Sequence, residues 1–147
     1  MANPIPVYVL DSFALLAYFQ AEAGGLRVRE LLEAARDGQA ALELSLINAG
    51  EVYYLASREQ GRTRADEMLR DLRDLPITFQ PATEERIFAA ARLKAQYPIS
   101  YADAFAIALA QELGATVVTG DPEFKTVAAQ VKILWLPPES PLSTPAT

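Results

Sequence analysis

The chain has 147 residues, 51 % of them hydrophobic, a formal net charge of −6, and neither Cys nor His. That length and apolar share suit one globular domain with a sizeable core. The two missing residue types exclude disulfides, Cys/His zinc centres, Ser-His-Asp triads and Cys-His nucleophiles, which leaves carboxylates, hydroxyls, Lys and Arg for any chemistry.

Pro6 to Leu10 reads as the first strand, ending at Asp11. A short helix is expected from Ser12 to Gln20, followed by a break at Gly24-Gly25. Leu26 to Arg36 then places Leu31, Leu32 and Ala35 on one helical face, with Gly38 as the stop. Ala41 to Leu44 is a weaker strand, leading into a helix from about Ser45 to Gln60 with Val52, Leu55 and Ala56 as its apolar stripe and Gly61 as terminator. A highly charged helix from Thr63 to Leu75 buries Met68, Leu69 and Leu72 and ends before Pro76.

Ile77 to Phe79 is a short strand, and Thr83 with Glu84 and Glu85 opens the next helix, to about Ala95. Ser100 to Leu113 is so rich in Ala that close packing on a sheet is expected, with Gly114 closing it. Ala115 to Thr119 is strongly strand-like, a brief helix follows from Pro122, and Val131 to Leu136 is the last strand.

Strands alternating with helices predict an α/β fold, with a central parallel sheet of about five short strands flanked by helices on both faces. One domain over residues 1–136 is expected, then a tail from 137 to 147 whose four prolines favour disorder. No apolar run reaches the roughly 18 to 20 residues that span a bilayer, and the first residues lack a basic stretch leading into a long apolar segment. A soluble cytoplasmic protein with no membrane contact is the expectation.

Four acids stand where strands of such a sheet end or in the helices that follow. Asp11 directly follows the first strand, and Asp121 follows Val117-Val118-Thr119-Gly120. Glu51 lies one to two turns into the third helix, and Asp103 in the first turn of the Ala-rich one. In open α/β sheets ligands bind beyond the carboxyl ends of the strands, so these acids would face one crevice.

Each acid also has a plain structural reading. Asp103 follows Ser100 by three positions, close to a capping box; Asp121 before Pro122 suits an N-cap; Asp11 can cap the helix at Ser12; Glu51 can face solvent. The set is harder to explain that way, because like charges about 4 Å apart repel by roughly 4 kcal/mol at an effective dielectric of 20. Hard cations such as Mg²⁺ or Mn²⁺ relieve that repulsion and lower the pKa of bound water.

The net charge argues against a general basic surface for nucleic acid but leaves room for a metal-assisted nuclease. Arg27 with Arg29, and Arg58 with Arg62 and Arg64, are the candidate phosphate contacts; a solvated helix face is the simpler reading of both groups.

Val9-Leu10-Asp11-Ser12, Asn48-Ala49-Gly50-Glu51-Val52-Tyr53-Tyr54, Ser100-Tyr101-Ala102-Asp103-Ala104-Phe105 and Val118-Thr119-Gly120-Asp121-Pro122-Glu123-Phe124 resemble the four acidic motifs of PIN-domain ribonucleases. Within that family the chain is most similar to the VapC-type toxins of toxin–antitoxin pairs, over about residues 6 to 136. The resemblance implies that Asp11, Glu51, Asp103 and Asp121 bind Mg²⁺ or Mn²⁺ for hydrolysis of RNA phosphodiester bonds. It implies supporting roles for Thr119 toward Asp121 and Asn48 toward Glu51. The family often has Ser two positions after its first Asp; here Phe13 stands there, and Ser12 is the candidate substitute.

The resemblance also implies a homodimer and a cognate antitoxin laid over the active site, a cationic partner that the negative charge would suit. Phe13, Tyr18, Phe19, Tyr53 and Tyr54 could line a partner groove, although core packing is the simpler reading. Two alternatives stand beside the toxin: a PIN-domain RNA-processing nuclease without an antitoxin, and a catalytically silent module whose acids only cap helices. A haloacid-dehalogenase-like phosphatase would need Asp where Phe13 stands, and a response regulator an adjacent acidic pair.

Overall fold

The computed structural model of the chain describes residues 4–137. The disorder expected for the proline-rich tail, residues 137–147, falls outside the described residues except at Pro137. Five strands are present, β1 (Val7–Leu10), β2 (Ala41–Ser45), β3 (Thr78–Gln80), β4 (Thr116–Thr119) and β5 (Lys132–Trp135). Six α-helices connect them: α1 (Ser12–Phe19), α2 (Gly25–Arg36), α3 (Leu46–Gln60), α4 (Arg62–Asp74), α5 (Glu84–Gln96) and α6 (Tyr101–Leu113). The brief helix after Asp121 is a 3-10 helix, Pro122–Val127. Six residues opening on a proline form a short turn of that tighter kind more readily than a full α-helix.

All strand pairings are parallel, in the order β3-β2-β1-β4-β5. The chain therefore winds outward in one direction from β1 to β3, returns, and winds the other way from β4 to β5. The point of reversal is between β1 and β4, where Tyr8 pairs with Thr116 and Leu10 with Val118. Crossovers on either side of such a point leave a crevice beyond the strand ends.

Both sheet faces are covered, and the strands alternate accordingly. Val7, Val9, Val117 and Ile133 point into one core, beneath α5, α6 and the 3-10 helix, with Phe105, Ile107, Leu109 and Phe124. Tyr8, Leu10, Val118 and Leu134 point into the other, with Leu15, Val28, Leu32, Val52 and Leu72 from α1 to α4. The Ala-rich α6 is buried from Asp103 through Ala110, because small side chains let its backbone approach the sheet. Gly114 ends it in the left-handed conformation at φ 62, which glycine adopts without penalty.

Of the predicted helix faces, Leu31, Leu32, Val52, Ala56 and Leu72 are buried, and Ala35, Met68 and Leu69 pack at the edge of the second core. Phe13, Tyr18 and Phe19 also pack there, whereas Tyr54 is exposed beneath the Arg58 guanidinium. Arg27, Arg29, Arg62 and Arg64 each pair with an acid three or four residues on in the same helix, as expected of solvated helix faces. Among the described residues no helix is long and apolar enough to cross a membrane.

Its unbroken buried run from Asp103 to Ala110 makes α6 a costly helix to disturb. Ile107→Ala, at a side chain with no exposure, should cost about 2–5 kcal/mol of unfolding free energy. Leu26→Ala, at a residue 69 % exposed, should stay within about 0.5 kcal/mol of the parent. Urea denaturation of the two variants checks the contrast.

Candidate metal centre

Asp11 is the first residue beyond β1 and the N-cap of α1. Its Oδ1 accepts the Ala14 amide at 2.8 Å, and its Oδ2 accepts the Thr119 hydroxyl from the end of β4. The same hydroxyl oxygen accepts the Asp121 amide at 3.0 Å. Thr119 thus joins the loop beyond β4 to the loop beyond β1, across the reversal point. Its link to Asp121 is through the backbone rather than the carboxylate, and its hydroxyl hydrogen goes to Asp11.

Asp121 caps the 3-10 helix, its Oδ1 accepting the Glu123 amide at 2.9 Å. Asp103 enters from α6, where its own amide donates to the capping Ser100 hydroxyl at 3.1 Å. The plain capping reading is therefore geometrically real for Asp11 and Asp121, and at α6 the cap is Ser100. A carboxylate oxygen accepting one amide still has a free lone pair, so capping and cation binding are compatible.

The carboxylates of Asp103, Asp121 and Glu123 all lie within 4.8 Å of one another. Glu123 carries no assignment from the sequence, although it stands inside the fourth motif. It comes to the site because Pro122 starts a tight helix at Asp121, and a residue two positions past the cap is folded back toward it. Glu51, half-buried on α3, is outside this trio, yet near enough for its charge to act on Asp11.

Burial with little positive charge nearby governs the electrostatics. Asp11 is 1 % exposed, and desolvation pushes its pKa up to about 7; the Thr119 and Ala14 hydrogen bonds oppose that shift, and the charges of Asp121 and Glu51 add to it. Desolvation also raises Asp103, to about 8, helped by a hydrogen bond with Glu123 and by the charges of Asp11 and Asp121, and opposed by Ser100. Among the described residues no Lys or Arg forms an ion pair with Asp11, Glu51, Asp103, Asp121 or Glu123. The donor set is all oxygen, which fits a hard divalent cation.

Asn48 and Ser12 form a buried joint beside the acids. The Asn48 amide donates to the Ser12 hydroxyl and to the Ala102 carbonyl, both at 3.2 Å, and the Ser12 hydroxyl donates to the Asn48 carbonyl at 3.4 Å. Asn48 thus ties α3 to the first residue of α1 and to the first turn of α6. Its hydrogen bonds hold the helices that carry the acids, and neither goes to Glu51.

No curated protein sequence matches the chain significantly. Its fold is similar to that of VapBC2 from Rickettsia felis, bound to a DNA fragment from its promoter. The TM-score is 0.69 and the identity 17 %, covering 89 % of this chain and 99 % of the other. DNA-bound VapBC from Salmonella typhimurium gives 0.68 at 17 % identity, covering 88 % and 98 %. VapC20 of Mycobacterium tuberculosis, a toxin that cleaves the sarcin-ricin loop, gives 0.64 at 17 % identity, covering 82 % and 94 %. The model of the PIN domain matches residues 8–130, and with the acids gathered where the sheet reverses, the chain belongs to the PIN-domain family.

Proposed function

We propose that the chain is a divalent-metal-dependent endoribonuclease, acting as the toxin of a toxin–antitoxin pair. The observation that carries this reading is the cluster of Asp103, Asp121 and Glu123 beside the buried Asp11, at the carboxyl ends of β1 and β4. Membership of the PIN family and a fold shared with VapC-type toxins support it.

Asp103, Asp121 and Glu123 are the residues that would hold Mg²⁺ or Mn²⁺, with Asp11 and Glu51 completing the acidic wall. A divalent ion in such a site supplies a lowered pKa for water and compensates charge on a phosphodiester. The protein's own part is positional. Thr119 and the Ala14 amide fix the Asp11 carboxylate, Thr119 also fixes the Asp121 backbone, and Ser100 starts α6 so that Asp103 points into the crevice. Asn48 and Ser12 hold the helices around it.

The partners in this reading are RNA as substrate, a cognate antitoxin and a second copy of the chain. A chain of net charge −6 with an acidic crevice suits a cationic antitoxin segment laid over the site.

Purified protein should cleave structured RNAs at defined positions with Mn²⁺ or Mg²⁺ and lose that activity in EDTA. Asp103→Asn should lower the rate roughly 10²–10³-fold, the scale expected for removing one group that acts on transition-state charge. The cap of α6 survives the substitution, since it uses the Asp103 backbone. Metal-dependent cleavage undiminished in Asp103→Asn would remove that residue from the mechanism.

The raised carboxyl groups set a pH dependence opposite to the usual one. In folded, metal-free protein Asp11 and Asp103 keep protons to about pH 7 and 8, whereas the unfolded chain releases them near the ordinary 3.8. Between those limits the unfolded state binds fewer protons, so stability falls as pH rises. The melting temperature in EDTA should be higher at pH 5 than at pH 8, and excess Mg²⁺ should reverse the order by stabilising the ionised form. At pH 8 in EDTA, Asp103→Asn should melt above the parent. A flat pH profile in EDTA would contradict the assigned burial of charge.

A further inference from the structure

Gly120 stands between Thr119, which bridges to Asp11, and Asp121, a member of the carboxylate cluster. Its φ is not positive, so nothing in its own backbone conformation calls for glycine. The requirement comes from outside. A Cβ at position 120 would lie 2.7 Å from Cζ of Phe13, closer still to Cε1, and 3.1 Å from Cδ1. The Phe13 ring therefore lies directly against the bare backbone of the loop that carries Asp121.

We infer that the Phe13 ring, seated on Gly120, is a positioning element for the metal centre, fixing the turn Thr119-Gly120-Asp121 so that its carboxylate meets Asp103 and Glu123. The inference rests on the reading of the acids as a cation site. The turn is hydrogen-bonded at both ends. The Leu136 amide donates to the Thr119 carbonyl at 2.8 Å, and the Glu123 amide donates to Asp121 Oδ1 at 2.9 Å. Residue 120 itself receives the ring instead of a hydrogen bond from a neighbouring element. Phe13 is held in turn, being the second residue of α1, two positions from the Asp11 cap and packed on the second core. One short helix start thus supplies both the buried carboxylate and the wedge that sets its neighbour across the sheet.

A methyl group at position 120 must displace either the turn or the ring. Phe13 also borders a cavity of about 120 Å³, whose walls include Leu16, Ala17 and Gly24. The ring can swing into that space, so Gly120→Ala is expected to fold while its turn loses support. Phe13→Leu removes the two closest atoms, Cζ and Cε1, and keeps the branch at Cγ. The double variant Phe13→Leu/Gly120→Ala therefore restores contact across the pair with volume exchanged from one side to the other.

The test is Mn²⁺ affinity by titration calorimetry, with melting temperature in EDTA as a metal-free readout, on the parent, Gly120→Ala, Phe13→Leu, the double variant and Asp103→Asn. Gly120→Ala should weaken Mn²⁺ binding about tenfold or more, the scale of losing support behind a ligand, and the double variant should recover most of it. In EDTA the double variant should also melt above the value that the single variants predict additively. Binding within twofold of the parent in Gly120→Ala, or a double variant no better than it, would overturn this inference alone. A parent that binds no Mn²⁺, or an Asp103→Asn that binds as well as the parent, would bring down the cation-site reading and this inference with it. Should Gly120→Ala fail to fold, a folded Mn²⁺-binding double variant supports the pairing and an unfolded one refutes it.

Discussion

Repulsion among five clustered carboxylates, of which Asp11 and Asp103 are buried, is the constraint around which the rest of this molecule is organised. Three of them lie within 4.8 Å of one another, a fourth is 1 % exposed beside them, and a fifth acts on it through its charge. At an effective dielectric of 20 a pair of unit charges about 4 Å apart repels by roughly 4 kcal/mol. A domain is stable by only about 5–15 kcal/mol in total. In metal-free protein burial raises the pKa of Asp11 and Asp103, so protonation relieves the repulsion up to a higher pH than for ordinary carboxyl groups. In the proposed function a divalent cation is the alternative answer, one that would turn a destabilising cluster into a binding site.

The scaffold tolerates that cluster because it is rigid on both sides. The sheet reverses between β1 and β4, two strands whose residues alternate between two apolar cores. Their carboxyl ends open on one crevice, and the Thr119 hydroxyl closes the gap between them by bonding Asp11 and the Asp121 amide. Asn48 performs the corresponding task among the helices, linking α3 to α1 and α6. Neither residue adds charge. Both residues are at 0 % exposure, where a hydrogen bond left unmade by the Thr119 hydroxyl or the Asn48 Nδ2 is costly, so each favours the arrangement in which those donors are satisfied.

Much of this was legible in the sequence, for local reasons. Val7 to Leu10 and Thr116 to Thr119 are short runs, mostly β-branched or aromatic, bounded by turn residues, and Asp11 and Asp121 stand just past them. The caps at Ser100 and Thr83 and the stop at Gly114 are written in one residue each. The missing parts depend on reach between elements. Glu123 joins the carboxylates because of how tightly the chain turns at Pro122, which no periodicity records. The family resemblance implies a role for Asn48 toward Glu51, whereas its amide reaches Ser12 of α1 and Ala102 of α6, contacts between elements that the sequence does not record. The Phe13 substitution was visible as a departure from the family pattern. The reason Gly120 accompanies it appears only when the ring is seen to lie on that backbone.

The most direct test of the central claim is the location of the cation itself. Anomalous diffraction from crystals soaked in Mn²⁺ should give a peak bounded by Asp103, Asp121 and Glu123, with carboxylate oxygens at about 2 Å, as hard divalent ions require. Crystals that diffract well, with the crevice open to solvent and no peak among these carboxylates, would contradict the account and leave Asp11 and Asp121 as helix caps alone.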